Sequence, residues 1–221
     1  MTPAGKPRIK ICCIASLEEA WMVIEQGANA LGLVSEMPSG PGVIAEELIA
    51  SIAANVPPAV SSFLLTCKQD AGSIIAQQRR TKVSTIQICD RLESDTYQEL
   101  RQALPGIALV QVIHVNGPES VDEARAIAPH VNGILLDSGN QSLPVKELGG
   151  TGRTHDWSLS RRIRESVDVP VFLAGGLNSN NIAEAVRQVG PFGVDVCSGV
   201  RTEGKLDADK LSNFFRNISG A

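Results

Sequence analysis

The sequence lacks the features that define several large classes of protein. No apolar run approaches the roughly 18 residues that a membrane-spanning helix requires, and residues 1–8 contain no secretory apolar segment. Basic residues do not predominate, since 20 Lys and Arg stand against 24 Asp and Glu. The formal net charge of −4 provides no broad basic surface for nucleic acid. We therefore expect neither a membrane partner nor a nucleic-acid partner.

Cysteine usage argues against two further classes. The five cysteines are odd in number and include no Cys-x-x-Cys pair, and the three histidines are scattered along the chain. That spacing fits neither a disulfide framework nor a zinc site. A chain of 221 residues also needs no disulfides to build a core. The sequence thus predicts a reduced, cytoplasmic protein without a metal.

The chain does contain a regular alternation of short apolar runs and amphipathic stretches. Eight apolar or β-branched runs begin mostly about 20 to 30 residues apart, which leaves room for a helix in each interval. They are 9–14, 30–35, 61–66, 84–89, 109–115, 133–137, 171–174 and 193–197. Most are apolar at alternating positions on both faces, which is typical of buried parallel strands. Eight such units predict an α/β fold, a single-domain (β/α)8 TIM barrel over residues 1–221.

Helix signals occupy the intervals between these runs. Ser16 and Glu19 form a capping-box pattern, which predicts a helix that ends before Gly27. Asn178 is expected to cap a later helix that ends at Gly190. The segment 138–154 is longer than the other intervals and contains few apolar residues. Two interpretations remain open for it, a functional lid and a disordered insertion.

In a barrel of this kind, the active site lies at the carboxyl ends of the strands. Polar or reactive residues occur at several predicted strand ends, namely Cys12, Cys13, Ser35, Glu36, Cys89, Asp90, His114, Asp137 and Asp195. Cys12 has three possible roles, as a nucleophile, a general base or an inert core thiol. Paired with Asp137, a Cys12 thiolate would provide a base facing an acid, as proton transfer at two adjacent atoms requires.

Two glycine-bearing turns follow the seventh and eighth predicted strands. The first contains Gly175, Gly176 and Asn178, and the second contains Ser198 and Gly199. Glycines let backbone N–H groups approach a phosphate closely, and barrels of this kind usually bind phosphate at these two loops. The alternative is that both are ordinary tight turns between a strand and a helix.

In combination, these residues resemble the phosphoribosylanthranilate isomerase family over essentially the whole chain. The segments that carry the resemblance are Lys10-Ile11-Cys12, Leu135-Leu136-Asp137, residues 149–158, Ala174 to Asn178 and Gly193 to Val200. The family performs an Amadori rearrangement on a phosphorylated ribosylamine in tryptophan biosynthesis. The resemblance implies a small phosphorylated sugar-amine as the substrate and either a monomer or a homodimer.

The resemblance also implies roles for particular residues. Cys12 matches the family's general base and Asp137 its general acid, while Asp195 matches an aspartate near the substrate. The phosphate is expected at Gly175, Gly176, Asn178, Ser198 and Gly199, and the lid is expected to include Gly149, Gly150, Gly152 and Arg153. The substrate nitrogen serves as the electron sink, so that no cofactor is required.

Four positions depart from the family's pattern. Cys13 replaces a glycine, Cys89 replaces a common histidine, and Cys197 replaces a usual serine. The loop 36–43 lacks the arginine that usually meets the anthranilate carboxylate. Two alternatives to the parent reaction therefore stay open at this point. One is a paralogue acting on a different phosphorylated aminosugar, and the other is a non-catalytic barrel that binds a phosphorylated metabolite.

Overall fold

Eight parallel strands hydrogen-bond in chain order and close on themselves, because β1 pairs with both β2 and β8. This computed structural model describes residues 6–219. The strands are β1 (Arg8–Ile11), β2 (Ala30–Val34), β3 (Ser61–Thr66), β4 (Thr85–Ile88), β5 (Ala108–His114), β6 (Gly133–Asp137), β7 (Val171–Leu173) and β8 (Gly193–Val196). The predicted (β/α)8 barrel is confirmed.

A helix follows each strand and packs on the outside of the barrel. The helices are α1 (Leu17–Glu25), α2 (Glu46–Asn55), α3 (Ala71–Thr81), α4 (Ser94–Ala103), α5 (Glu119–Ile127), α6 (Trp157–Ser166), α7 (Ile182–Val189) and α8 (Ala208–Ser219). A short 3-10 helix (Ala128–His130) extends α5. An antiparallel ribbon of β9 (Arg201–Thr202) and β10 (Lys205–Leu206) separates β8 from α8. Within residues 6–219, no helix is both long and apolar enough to cross a membrane.

The cap predictions have opposite outcomes. The Ser16 hydroxyl accepts a hydrogen bond from the Glu19 amide at 3.1 Å, so α1 begins as its capping pattern indicates. The expectation that Asn178 caps α7 is wrong, because the N-cap is Asn181. Asn178 instead forms a bridge with Gly199 and accepts the Asn180 amide on its side chain. The Asn178 carbonyl accepts the Ile182 amide at 3.1 Å, so the turn that leads into α7 begins at Asn178.

Strand alternation divides the core into two layers. On β3, Leu64 belongs to the apolar layer between strands and helices, whereas Phe63 and Leu65 point into the barrel. This is the two-residue period of a pleated strand, with each face buried against a different partner. Lys10 of β1 and Asp195 of β8 are register partners, and their side chains form an ion pair inside the barrel. The interior of this barrel therefore contains charge as well as apolar side chains.

Most strands end earlier than the sequence predicts. Cys12, Cys13, Cys89, Ala174 and Cys197 all follow the last residue of a strand instead of belonging to it. At this end of the barrel the chain leaves the ladder and enters the loops, so side chains no longer need to alternate in direction. The apolar character of these positions comes from the walls of a cavity.

Candidate active site

A cavity of about 690 Å³, including its open mouth, lies at the carboxyl ends of the strands. Nine of the twelve predicted site residues line it, namely Cys12, Asp137, Gly149, Gly150, Gly152, Gly175, Gly176, Asp195 and Ser198. The three that do not line it are Arg153, Asn178 and Gly199. The strand-end rule therefore agrees with the position of this cavity, and side-chain direction decides which residues face it.

Cys12 lies directly after β1, and its backbone amide donates to the Val196 carbonyl at 2.9 Å. A side chain at Gly32, on the neighbouring β2, would collide with this site. Its Cβ would lie 2.7 Å from Cys12 Sγ and 2.9 Å from Lys10 Nζ. The thiol and the buried ammonium group thus share the space that Gly32 leaves open.

Lys10 is fully buried, and its Nζ lies 2.8 Å from Asp195 Oδ2. Burial alone would lower the pKa of Lys10, but Asp195, Cys12 and Cys13 outweigh it and raise the pKa, so the ammonium stays charged. Burial raises the pKa of Asp195, and Lys10 partly offsets the rise. We conclude that Lys10 and Asp195 form a charged pair beneath the cavity.

Asp195 lines the cavity and keeps one carboxylate oxygen unengaged within the described part of the chain. Oδ1 is buried and has no hydrogen-bond partner among the described residues, while Oδ2 is engaged by Lys10. An unpaired buried acceptor is costly, so a site that keeps one is suited to a ligand donor. Asp195 can therefore accept a hydrogen bond from a hydroxyl group of a bound sugar.

Asp137, the last residue of β6, is oriented by its neighbours. Oδ1 accepts the Ser138 amide at 2.7 Å, while Oδ2 is the oxygen nearest to Gly149 of the β6–α6 loop. The Ser138 hydroxyl in turn lies 2.7 Å from the Thr151 hydroxyl, which ties the loop to the strand end. One carboxylate oxygen is thus held by backbone, and the other lies at the glycine segment of the cavity wall.

The two glycine turns lie side by side, because Asn178 and Gly199 form a parallel bridge between them. Gly176 has φ +61°, and a Cβ there would lie 2.7 Å from the Arg153 carbonyl carbon. Only glycine suits both the left-handed conformation and the close backbone approach. Asn178 and Gly199 therefore hold the turns together, while Gly175, Gly176 and Ser198 face the cavity.

The loops after β2 and β6 meet above the cavity. The Ser39 hydroxyl donates to the Lys146 carbonyl at 2.7 Å, and Asn140 and Glu147 pair within the longer loop. Arg153 is exposed and forms an ion pair with Glu147, so its side chain points away from the cavity. The segment 138–154 is thus a structured flap with glycines on its inner side. Its mobility in the absence of ligand stays a prediction.

Cys13 occupies the left-handed region of backbone space, with φ +62°. This conformation costs a residue with a Cβ about 1–2 kcal/mol, so glycine would be the unstrained residue at this position. The Arg201 guanidinium holds the backbone in place by donating to the Cys13 carbonyl at 2.6 Å. Arg201 is itself held by Glu19, at 2.9 Å. The Cys13 side chain contacts Cys197, with their sulfur atoms 2.7 Å apart.

Several other strand-end candidates face elsewhere. The Ser35 hydroxyl donates to the Leu65 carbonyl, and Glu36 does not line the cavity. Asp90 and His114 line a separate polar pocket, where Asp90 pairs with Lys146. Among residues 6–219, no group of three or more His, Cys, Asp or Glu side chains is placed to hold a metal ion.

Sequence reasoning missed three residues of the site. Lys10 was part of a motif without a role, although a lysine inside an apolar strand is itself a signal of a buried ion pair. Gln87, on β4, lines the cavity with an unpartnered Oε1, and its signal is an amide between Ile86 and Ile88. Thr151 carried no signal beyond its place in the glycine-rich segment.

Comparison with known proteins agrees with this geometry. Residues 9–217 match the family model described as N-(5'phosphoribosyl)anthranilate (PRA) isomerase. The chain is 36% identical to N-(5'-phosphoribosyl)anthranilate isomerase 2 of Methanosarcina mazei, over 94% of this chain and 92% of that protein. The chain belongs to this isomerase family. It is also 33% identical to the Methanocella arvoryzae isomerase, over 96% of this chain and 97% of that one.

Solved structures of the isomerase family share the fold. The chain superimposes on phosphoribosyl anthranilate isomerase from Thermotoga maritima with a TM-score of 0.83 at 29% identity, covering 97% of this chain and 100% of that one. A second such isomerase was solved in complex with reduced 1-(o-carboxyphenylamino)-1-deoxyribulose 5-phosphate. It matches with a TM-score of 0.80 at 27% identity and the same coverage. The expected family and fold are both confirmed.

Proposed function

We propose that this protein isomerises N-(5'-phosphoribosyl)anthranilate to the corresponding aminodeoxyribulose phosphate, as a step of tryptophan biosynthesis. The observation that carries the proposal is that Cys12, Asp137 and both glycine turns line one cavity. The names of the curated relatives favour this substrate over the two alternatives that the sequence left open. We further propose that the protein works in the cytoplasm, as a monomer or a homodimer.

The phosphate end of the substrate is assigned to the turns at Gly175, Gly176 and Ser198. Glycine turns with positive φ present backbone N–H groups to an anion, and the phosphate then needs no basic side chain. The related isomerase solved with a ribulose 5-phosphate derivative supports a phosphorylated ligand in this fold. The ribose is then held between the phosphate turns and Asp195, whose free Oδ1 accepts a sugar hydroxyl.

Asp137 is assigned as the general acid. In its protonated form it delivers a proton to the furanose ring oxygen, and the bond from that oxygen to C1 breaks. The nitrogen lone pair forms the second bond of the resulting iminium ion. Because Ser138 N–H engages Oδ1, Oδ2 remains as the oxygen for proton transfer.

Cys12 is assigned as the general base. Its thiolate removes the proton from the sugar C2, and the electron pair of that bond moves into the iminium to give an enolamine. Tautomerisation of the enolamine then produces the ketone. The Lys10 ammonium lies beside the Cys12 thiol, in the space that Gly32 leaves open.

The aromatic acid is assigned to the end of the cavity formed by the β2 and β6 loops. Met37, Pro41 and Leu148 supply apolar surface there, and the Ser39 hydroxyl is also present. No Lys or Arg is among the described residues that line the cavity. We infer that anthranilate is gripped here mainly by contact with its ring, without a charged partner for its carboxylate.

Cys12→Ser and Asp137→Asn test the assignment. Each change removes the acid–base group with little change in volume, and general acid–base catalysis contributes roughly 10²–10⁴-fold in rate. We expect kcat to fall by that amount in a fluorescence assay of phosphoribosylanthranilate consumption. Inhibition by a product analogue should change only a few-fold. Cys67→Ser is the control, since Cys67 lies outside the cavity with its thiol at the Glu36 carbonyl. Near-normal turnover in Cys12→Ser would refute the mechanism.

A further inference from the structure

Two cysteines meet at the seam where the barrel closes. Cys13 follows β1 and Cys197 follows β8, and these strands are paired although the two residues are 184 positions apart in sequence. Their sulfur atoms are 2.7 Å apart. A disulfide bond is about 2.04 Å long, so the sulfurs need to approach by well under 1 Å to bond.

Local electrostatics distinguish the two thiols. The hydrogen bond with Cys13 and the nearby Arg201 guanidinium lower the pKa of Cys197, against an opposing effect of burial. Hydrogen bonds with Cys12 and Cys197 raise the pKa of Cys13, and burial raises it further. Both residues line the cavity, but Cys197 is only half-buried, whereas Cys13 is buried. Cys197 is therefore the more nucleophilic and more accessible sulfur, and Cys13 is a protonated partner in contact with it.

We propose that Cys13 and Cys197 form a reversible oxidative modification site, which closes to an intramolecular disulfide when the protein meets a peroxide. The Cys197 thiolate attacks one oxygen of hydrogen peroxide, the O–O bond breaks, and a sulfenic acid and hydroxide form. The Cys13 sulfur then attacks the Cys197 sulfur, the S–O bond breaks, and water leaves with the Cys13 proton. Two thiols are oxidised, and one peroxide is reduced to two waters.

Cys12 is a poorer partner for Cys13 despite its proximity. Consecutive Cα atoms are about 3.8 Å apart across a trans peptide, whereas disulfide-bonded residues usually have Cα atoms at least about 4.4 Å apart. No cis peptide bond is present among the described residues. The proposed general base is therefore left as a free thiol, and the bond joins the two strand ends instead.

The disulfide would tie together the first and last strands of the barrel. It closes a loop of more than 180 residues in the unfolded chain, where the entropic effect of a crosslink is largest. Oxidation should therefore raise the melting temperature by several degrees.

One equivalent of hydrogen peroxide, applied to the full-length reduced protein, tests the proposal. We expect an intact mass lower by two hydrogen atoms, a peptide map that links Cys13 to Cys197, and recovery of both thiols with dithiothreitol. The rise in melting temperature should accompany the mass change and disappear in Cys13→Ser and Cys197→Ser. Cys67→Ser is the matched control and should behave like the parent protein.

Three results would overturn the proposal. They are retention of all thiols, addition of oxygen at any cysteine without a crosslink, and a crosslink between a different pair of cysteines. The experiment measures intact mass and melting temperature, and neither depends on isomerase activity. Any of these three results, obtained on the parent protein, is sufficient to reject the proposal. Loss of the proposed isomerase assignment would therefore leave the result on Cys13 and Cys197 unchanged.

Discussion

Gly176→Ala tests the assignment of the phosphate turn. Gly176 has φ +61°, and a Cβ there would lie 2.7 to 2.9 Å from backbone atoms of Gly152, Arg153 and Thr154. Backbone atoms cannot move aside as a flexible side chain can, so the turn and the β6–α6 loop must separate. Loss of one charged hydrogen bond to the phosphate costs about 1.5–3 kcal/mol, which corresponds to a roughly 10- to 150-fold rise in KM. We expect kcat to change much less than KM.

Gly106→Ala separates this effect from simple backbone strain. Gly106 has φ +88°, and a Cβ at this position would have no neighbouring atom within 4 Å, so the substitution carries the conformational cost without the collision. That cost is about 1–2 kcal/mol, or roughly 2–8 °C in melting temperature for a domain of this size. Steady-state kinetics and thermal melts of both variants distinguish a loss of phosphate binding from a loss of stability. If Gly176→Ala loses stability but keeps the parent KM, the turn does not bind phosphate.

Three further predictions concern charge. Asp195→Asn leaves the buried Lys10 ammonium without its charged partner, so it should lower the free energy of unfolding by about 3–5 kcal/mol in denaturant titrations. Adding Lys10→Met removes the unpaired charge as well and should recover most of that loss. A double variant that is as unstable as Asp195→Asn alone contradicts the buried ion pair. Burial opposes ionisation of Glu19, but its guanidinium partner and backbone donors hold the pKa of Glu19 below its usual 4.5. Its stabilising effect is therefore present at neutral pH and is lost as the pH falls through that lowered pKa. Glu19→Gln should cost about 1–2 kcal/mol at pH 7 in denaturant titrations, and the difference from the parent should shrink below about pH 4.5.

Local sequence determined the parts of this protein that depend on near neighbours. The eight apolar runs became eight strands because burial on both faces of a parallel sheet requires that composition. The Ser16 hydroxyl accepts an amide of the first turn of α1, which fixes where this helix begins. Gly27, with φ +99°, follows the last turn and fixes where it ends. Position along the strand was enough to predict that Cys12 and Asp137 line one cavity, because every strand of a barrel ends at the same mouth.

The tertiary structure decided what depends on residues far apart in sequence. The register between β1 and β8 places Lys10 against Asp195, and it brings Cys13 against Cys197. Periodicity cannot reveal such pairs, because it reports which face a residue takes and not which residue it meets. Asn178 shows the same limit, since no local pattern indicated its bridge to Gly199. Contacts across the closed barrel are set by strand register, and register exists only once all eight strands have paired.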